Sequence, residues 1–184
     1  MRIISGNHKG KQIKAPDNLP VRPTTDMAKE ALFNILNNYF YFDAIEVLDL
    51  FAGTGNISYE FAAREALNVV SVDIDHRCTD FIAKTAKALN FQQVHTINMD
   101  AFAFLSSHKK TYNVIFADPP YAMENTVRLA DLVFERKLLN EGGMLVIEHP
   151  KAVDFSQHHN FLEQRNYGKV NFSFFVYCEA DLNK

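Results

Sequence analysis

The chain has no tryptophan and only two cysteines among its 184 residues. Cys78 and Cys178 do not form a metal-ligand spacing, and the seven histidines form no cluster, so we expect reduced thiols and no metal. No apolar run approaches the roughly 20 residues that a transmembrane helix needs. The amino end also lacks the apolar segment of a secretory signal, so the sequence predicts a cytoplasmic protein with no membrane association.

An excess of positive charge is also missing, since the net charge is −3. The distribution is uneven, however: the first 25 residues carry five basic side chains against Asp17 alone, giving +4 there and −7 in the remainder. Basic residues concentrated at one end can contact nucleic-acid phosphates while the acidic body stays soluble. Arg2, Lys9 and Lys11 are therefore candidate RNA contacts, and a solvated hairpin face is the alternative.

Length and composition favour one packed domain. Hydrophobic residues make up 47% of the chain and aromatic residues 12%, which is ample for a core. The segments Ile3-Ile4 and Gln12-Ile13 flank a polar, glycine-containing turn, which predicts a β-hairpin. We expect residues 1–184 to form a single domain, in which residues 1–41 are an extension that contacts RNA and covers the cofactor, and residues 42–184 are the catalytic core.

Apolar runs alternate with segments of helical periodicity along the rest of the chain, a pattern typical of α/β proteins with a mostly parallel sheet. Strands are expected at 45–50, 68–72, 94–97, 113–117 and 144–148, helices at 26–40, 56–65, 76–90 and 125–139, and a final pair of strands within 164–179. Right-handed crossovers between such units give a doubly wound sheet with helices on both faces.

The segment 51–55, with the sequence Phe-Ala-Gly-Thr-Gly, follows the first expected core strand. Gly53 and Gly55 allow a sharp turn and a close approach of the backbone to a ligand, because neither has a Cβ atom. A short Gly-x-Gly is a weak signal by itself, and an ordinary strand-to-helix turn is the alternative. Because Asp73 ends the next strand about 20 residues on, where nucleotide-binding folds place a ribose-binding acid, we favour a ligand site.

A second acid, Asp100, follows the third expected strand. Ligands of open α/β sheets bind at the carboxyl ends of the strands, so Asp100 is placed to accept a hydrogen bond from an adenine amino group. Ile74 and Phe102 are candidate apolar walls around the ring. Capping of the following helix is the alternative role for Asp100.

The tetrapeptide Asp118-Pro119-Pro120-Tyr121 follows the fourth expected strand and is more specific than the glycine loop. Two consecutive prolines exclude helix and remove two backbone donors, which leaves a stiff bend with carbonyl acceptors and one carboxylate. Such a corner can accept the protons of an exocyclic amine and favour the positive charge that develops on its nitrogen. Tyr121 can stack on the base. A purely structural Pro-Pro turn is the alternative.

These motifs together resemble class I S-adenosylmethionine-dependent methyltransferases that modify exocyclic nitrogens. The amino end narrows the resemblance through residues 1–6, Gly10-Lys11, and above all the segments 22–26 (Arg-Pro-Thr-Thr-Asp) and 30–36 (Glu-Ala-Leu-Phe-Asn-Ile-Leu). These segments are similar to the bacterial methyltransferases of guanine N2 in 16S ribosomal RNA, and the resemblance covers nearly the whole chain. The family often has Glu in place of Asp73 and Phe in place of Tyr121, and either exchange preserves the role.

The resemblance implies a seven-stranded Rossmann-like sheet, S-adenosylmethionine as cofactor with S-adenosylhomocysteine as product, and 16S rRNA as partner. It assigns the target guanine to Asp118, Pro119, Pro120 and Tyr121. Arg22, Pro23 and Thr24 would lie over the same pocket. The candidate cofactor residues are Asp49, Phe51, Ala52, Gly53, Thr54, Gly55, Asp73, Ile74, Asp100, Ala101 and Phe102. We expect a monomer that acts on an assembling small ribosomal subunit.

Three other functions remain open from the sequence. Adenine N6 methylation of DNA uses the same tetrapeptide, although no segment here resembles a domain that reads duplex DNA. A nicotinamide-dependent oxidoreductase would have a similar βαβ unit, but the loop lacks the full G-x-G-x-x-G spacing. A non-catalytic RNA-binding module is the last alternative, and RNA binding alone would not require the amine-binding corner.

Overall fold

The structure is a computed structural model that describes residues 1–16, 19, 25–168 and 170–179. Arg22, Pro23 and Thr24, assigned above to the pocket cover, lie outside the described residues. The chain divides into two compact units, Met1–Ala101 and Phe102–Lys184. No helix within the described ranges has the length and apolar character needed to cross a bilayer.

The first unit contains an amino-terminal turn structure followed by alternating helices and strands. Helix α1 begins after Thr25, whose hydroxyl accepts a hydrogen bond from Ala28 N at 3.2 Å, the expected N-cap. A short 3₁₀ turn, Phe42–Ala44, leads into the sheet. The elements are α1 (Asp26–Leu36), β1 (Glu46–Leu50), α2 (Asn56–Ala63), β2 (Asn68–Asp73), α3 (His76–Ala88) and β3 (Val94–Asn98).

Strands β1, β2 and β3 are parallel, with Val47 opposite Val69 and Val70 opposite His95. Strands β1 and β2 are buried over almost their whole length, as expected for parallel strands covered by helices on both faces. Parallel strands in register end at the same edge of the sheet. The loops after β1, β2 and β3 are therefore neighbours at the carboxyl edge of this unit.

The second unit contains α4 (Ala101–Ser107, beginning at the boundary), β4 (Tyr112–Ala117), α5 (Thr126–Glu135), β5 (Leu139–His149), β6 (Phe161–Tyr167) and β7 (Val170–Val176). Strands β4 and β5 are parallel, whereas β7 pairs antiparallel with both β5 and β6. Gly168, with φ +69°, makes the turn between β6 and β7. The expected closing pair of strands is therefore confirmed.

The seven strands form one sheet in the order β3-β2-β1-β4-β5-β7-β6. This order and the mostly parallel pairing confirm the α/β, doubly wound, seven-stranded class expected of a methyltransferase.

The expected helix ends were too far along the chain. Glu65, Asn90 and Lys137 have left-handed φ values of 69°, 57° and 52°, and each lies two residues after the last residue of its helix, α2, α3 or α5. Strand β5 is longer than expected. It was expected to begin after Gly142-Gly143, whereas it begins at Leu139 and includes both glycines.

The amino-terminal hairpin is confirmed in a short form. Its single ladder bridge joins Arg2 to Gln12, and Ile3 N donates to Lys11 O at 3.1 Å. Closer to the turn, Gly10 N donates to Ile3 O at 2.8 Å, whereas Ile4 N and Ser5 N donate to the Glu60 carboxylate. Ile3 is buried in the same apolar cluster as residues of α2 and α3, so the hairpin is part of the core of the first unit.

Candidate active site

The glycine loop leaves β1 through a series of left-handed residues. Phe51, Gly53 and Gly55 have φ values of 57°, 54° and 80°. Gly55 is the N-cap of α2, and a Cβ atom there would lie 2.8 Å from Ile82 Cγ1, so any side chain at this position would be strained. A left-handed φ at a non-glycine residue such as Phe51 is uncommon, and such residues concentrate at functional sites.

Asp73 fixes this loop from the end of the neighbouring strand. Its Oδ2 accepts a hydrogen bond from Gly53 N at 2.8 Å, and its Oδ1 accepts one from Asp75 N at 2.8 Å. Its backbone carbonyl accepts from Met99 N and from Asn98 Nδ2, which connects the loop after β3. Asp73 therefore orders all three loops, and each carboxylate oxygen retains the capacity for a second donor such as a ribose hydroxyl.

Asp49 is buried beneath the loop and does not reach the surface, being 1% exposed. The Ser58 hydroxyl donates to its carboxylate, and Ser58 Oγ lies 2.7 Å from Ser71 Oγ. Burial raises the pKa of Asp49 to about 7. Thr54 and Ala52 are buried too, and Ala52 N donates to a backbone carbonyl of β2. The hydrogen-bonded side chains of Asp49, Ser58 and Ser71 therefore support the glycine loop from inside the protein.

The residues assigned to adenine occupy exposed strand ends. Ile74 is 70% exposed although it is apolar. Asp100 is exposed and directly precedes α4, whose first residue, Ala101, is buried. Phe102 is half-buried and belongs to the second unit. The loop, Asp73 and the apolar surface of Ile74 fit a nucleoside cofactor at the carboxyl edge of the first unit.

A buried ion pair joins α1 to α2, and it could not be recognised from the sequence. Lys29 of α1 and Glu60 of α2 are 1% and 0% exposed, with Nζ 3.4 Å from Oε2. The Lys29 ammonium also donates to Arg2 O and, at 2.9 Å, to Asn56 Oδ1, in the residue that follows the glycine loop. Burial lowers the pKa of Lys29 below its usual value. The pair joins the hairpin, α1 and the start of α2.

The basic side chains of the hairpin differ in their surroundings. The Arg2 guanidinium forms an ion pair with Asp26 at 3.2 Å, whereas Lys9 and Lys11 are exposed near the turn. The turn of the hairpin is bonded to the carboxyl end of α2, because Asn7 N donates to Ala63 O at 2.7 Å. The chain enters β2 at Asn68, a few residues after this end of α2. Lys9 and Lys11 therefore lie toward the amino edge of this unit's strands, away from the glycine loop.

The Asp118-Pro119-Pro120-Tyr121 corner follows β4 in the second unit. Asp118 is half-buried, Pro119 is buried, and Tyr121 is 49% exposed. Pro120 O accepts a hydrogen bond from Met123 N at 2.8 Å, which closes the turn after the corner. The corner thus holds a carboxylate and a partly exposed aromatic ring at the end of a buried strand.

Glu148 faces this corner, and sequence reasoning did not identify it. Strands β4 and β5 are in register with Ala117 opposite Ile147, so Asp118 and Glu148 both follow at the carboxyl ends of neighbouring strands. The Tyr121 hydroxyl donates to Glu148 Oε1 at 3.4 Å, and Glu148 is only 4% exposed. Within the described ranges, no cluster of three His, Cys, Asp or Glu side chains could hold a metal ion.

Comparison with known proteins shows which family the chain resembles over most of its length. A family model described as "Conserved hypothetical protein 95" matches residues 1–176. "Putative rRNA methyltransferase YlbH" of Bacillus subtilis is 34% identical over 161 residues, covering 85% of this chain and 86% of that protein. "Ribosomal RNA small subunit methyltransferase D" of Escherichia coli K12 is 32% identical over 134 residues, covering 71% and 67%.

Solved structures give the same result. The structure named "Putative methyltransferase yhhF from Escherichia coli" superimposes with a TM-score of 0.85 at 25% identity and covers 97% of this chain and 98% of that one. An RNA methyltransferase from Salinibacter ruber, solved with S-adenosyl-L-homocysteine, shares the fold alone, at 15% identity and a TM-score of 0.67, with 86% and 95% covered. The chain belongs to the family of conserved hypothetical protein 95, whose model matches nearly all of it.

Proposed function

We propose that this protein transfers a methyl group from S-adenosylmethionine to the exocyclic N2 of a guanine in 16S ribosomal RNA. The observation that carries the proposal is the Asp118 corner at the end of β4, in a chain whose relatives include the small-subunit rRNA methyltransferase of E. coli. A nicotinamide-dependent oxidoreductase would not need an amine-binding corner, and neither would a non-catalytic RNA-binding module. When bound, the cofactor supplies an electrophilic methyl carbon.

The first unit's residues suit cofactor binding. The left-handed turn of Phe51, Gly53 and Gly55 lets the backbone approach the methionine part, while Asp49 and Thr54 support the loop from below. Asp73 would accept the ribose hydroxyls with oxygens already oriented by backbone donors. The remaining candidates for adenine and loop contacts are Ala52, Ile74, Asp100, Ala101 and Phe102.

The second unit's corner would act on the target amine. The exocyclic nitrogen of guanine is a poor nucleophile because its lone pair is delocalised into the ring. Asp118 and a proline carbonyl of the corner would accept its two protons. These acceptors localise the lone pair and favour the positive charge that develops on nitrogen. The Tyr121 ring would stack on the base, worth about 1–3 kcal/mol.

Binding of RNA backbone is assigned to the exposed Lys9 and Lys11, with Arg2 contributing less because Asp26 neutralises it. Arg22, Pro23 and Thr24 remain candidates for covering the pocket. The two lysines lie toward the amino edge of the first unit's strands, away from the glycine loop, and would contact RNA phosphates there. We also propose that the enzyme is a monomer and that its substrate is an assembling small subunit, because the exposed cations described at the amino end, Lys9 and Lys11, form only a modest basic patch for naked RNA.

The test is labelled methyl transfer to small subunits, and to their protein-free 16S rRNA, from cells that lack this protein. Nucleoside analysis should yield N2-methylguanosine in the particles and far less in naked RNA. N6-methyladenosine would redirect the assignment to the adenine-modifying class, and efficient turnover on naked RNA would remove the particle from the proposal.

A further inference from the structure

The corner that binds the amine cannot by itself distinguish guanine from adenine, because both bases offer an NH₂ group. The two bases differ at the neighbouring ring nitrogen. Guanine carries a proton on N1 beside its N2 amine, so its edge presents adjacent donors. Adenine N1 beside the N6 amine has no proton and is an acceptor. A site that selects guanine therefore needs a second acceptor next to the one that holds the amine.

Glu148 is in the right place to be that acceptor. It follows Ile147 on β5 as Asp118 follows Ala117 on β4, and these strands are parallel neighbours in register. Adjacent strands lie about 4.8 Å apart, so carboxylates at these two positions can reach one base edge. The Tyr121 hydroxyl, from the residue assigned to stacking, donates to Glu148 Oε1 at 3.4 Å, which places the Glu148 carboxylate at the corner.

The burial of Glu148 supports a recognition role. The side chain is 4% exposed, and a buried carboxylate is costly unless hydrogen-bond donors satisfy it. A carboxylate has about four acceptor sites on its two oxygens, so a donor such as the Tyr121 hydroxyl does not use up its capacity. Glu148 can therefore keep the tyrosine hydroxyl and accept another donor from a base.

We propose that Glu148 determines base specificity by accepting the N1–H of the target guanine while Asp118 holds the N2 amine. This inference rests on the proposed function and adds the choice between guanine and adenine to it. An adenine in the same position would put its N1 lone pair against the Glu148 carboxylate, which is repulsive. A site built to bond a donor strongly rejects an analogue that lacks it.

The test compares guanosine with 2-aminopurine ribonucleoside at the methylated position of 16S rRNA, assembled into particles. 2-Aminopurine keeps the amine on C2 but has no proton on N1. Wild-type protein should prefer guanosine in kcat/KM by about 10- to 100-fold, the range that one hydrogen bond to a charged group supplies. Glu148→Gln can donate to an unprotonated N1, so its preference should shift toward 2-aminopurine by at least about tenfold.

Tyr121→Phe is the matched control, because it keeps the ring and removes the hydroxyl that contacts Glu148. This variant should lower kcat/KM for guanosine and for 2-aminopurine alike, so that the ratio of the two values stays within about threefold of the wild-type ratio. The inference is wrong if Glu148→Gln lowers kcat/KM for both substrates alike, or if Tyr121→Phe shifts the ratio of the two values as Glu148→Gln does. In either case Glu148 only positions the tyrosine. If wild-type protein makes no N2-methylguanosine at all, the proposed function fails instead.

Discussion

Replacing Glu60 by leucine should destabilise the first unit strongly, because it removes the centre of a buried network. The Glu60 carboxylate accepts hydrogen bonds from Ile4 N and Ser5 N at 2.8 and 3.1 Å and pairs with Lys29 and, at 3.0 Å, with Arg64. Leucine would leave the Lys29 ammonium buried without its carboxylate and two backbone donors without an acceptor. Breaking a buried pair from one side typically costs about 3–5 kcal/mol.

That loss should appear in thermal unfolding. For a chain of this length, 1 kcal/mol corresponds to roughly 2–4 °C, so Glu60→Leu should lower Tm by about 6–20 °C in circular dichroism or calorimetry. The control is Glu135→Gln, which breaks the exposed pair with Arg128, only 2.6 Å long but half accessible to solvent. Exposed pairs contribute little, so the control should show a small fraction of that shift.

The double variant Lys29→Met with Glu60→Leu separates charge from packing. It removes both buried charges, and buried ion pairs can be exchanged for apolar residues of similar volume with little loss. The double variant should therefore unfold at a higher temperature than Glu60→Leu alone. Equal Tm values for Glu60→Leu and Glu135→Gln, or a double variant less stable than Glu60→Leu, would refute this account of the network.

Three further predictions concern the glycine loop. Asp73→Ala should weaken S-adenosylhomocysteine binding in calorimetry by about 100-fold, because the ribose contacts and the bond that orients Gly53 N are lost together, whereas Asp73→Asn should retain part of the affinity. Gly55→Ala should lower both Tm and cofactor affinity, because of its φ of 80° and the 2.8 Å approach to Ile82; unchanged values would contradict the geometry. The raised pKa of Asp49 means that the folded state holds a proton that the unfolded state releases, so stability should fall as pH rises from about 4 to about 7. Asp49→Asn should flatten this slope in denaturant titrations, and an unchanged slope would contradict the assignment.

Much of the fold could be predicted because its signals are local. Continuous apolar runs predicted β1, β2 and β4, and glycine at 53 and 55 predicted the loop after β1. The helix ends were less accurate, since Glu65 and Asn90 adopt left-handed conformations usually taken by glycine.

The interactions that were missed connect distant parts of the chain. Lys29 and Glu60 are separated by 31 positions and look like ordinary surface charges of amphipathic helices until their burial is known. Glu148 appears in the sequence as the polar end of an apolar strand. Its relation to Tyr121 arises only from the parallel register of β4 and β5, which no local pattern encodes.

The most direct test of the central claim is a single-turnover measurement with Asp118→Ala on small subunits from cells lacking the protein, with S-adenosylhomocysteine affinity measured in parallel. Asp118 is assigned to the amine and not to the cofactor. The variant should therefore lose about 100- to 1,000-fold in the rate of methyl transfer while cofactor affinity changes by less than about threefold. A rate close to that of the wild-type protein would contradict the claim that this corner activates the target amine.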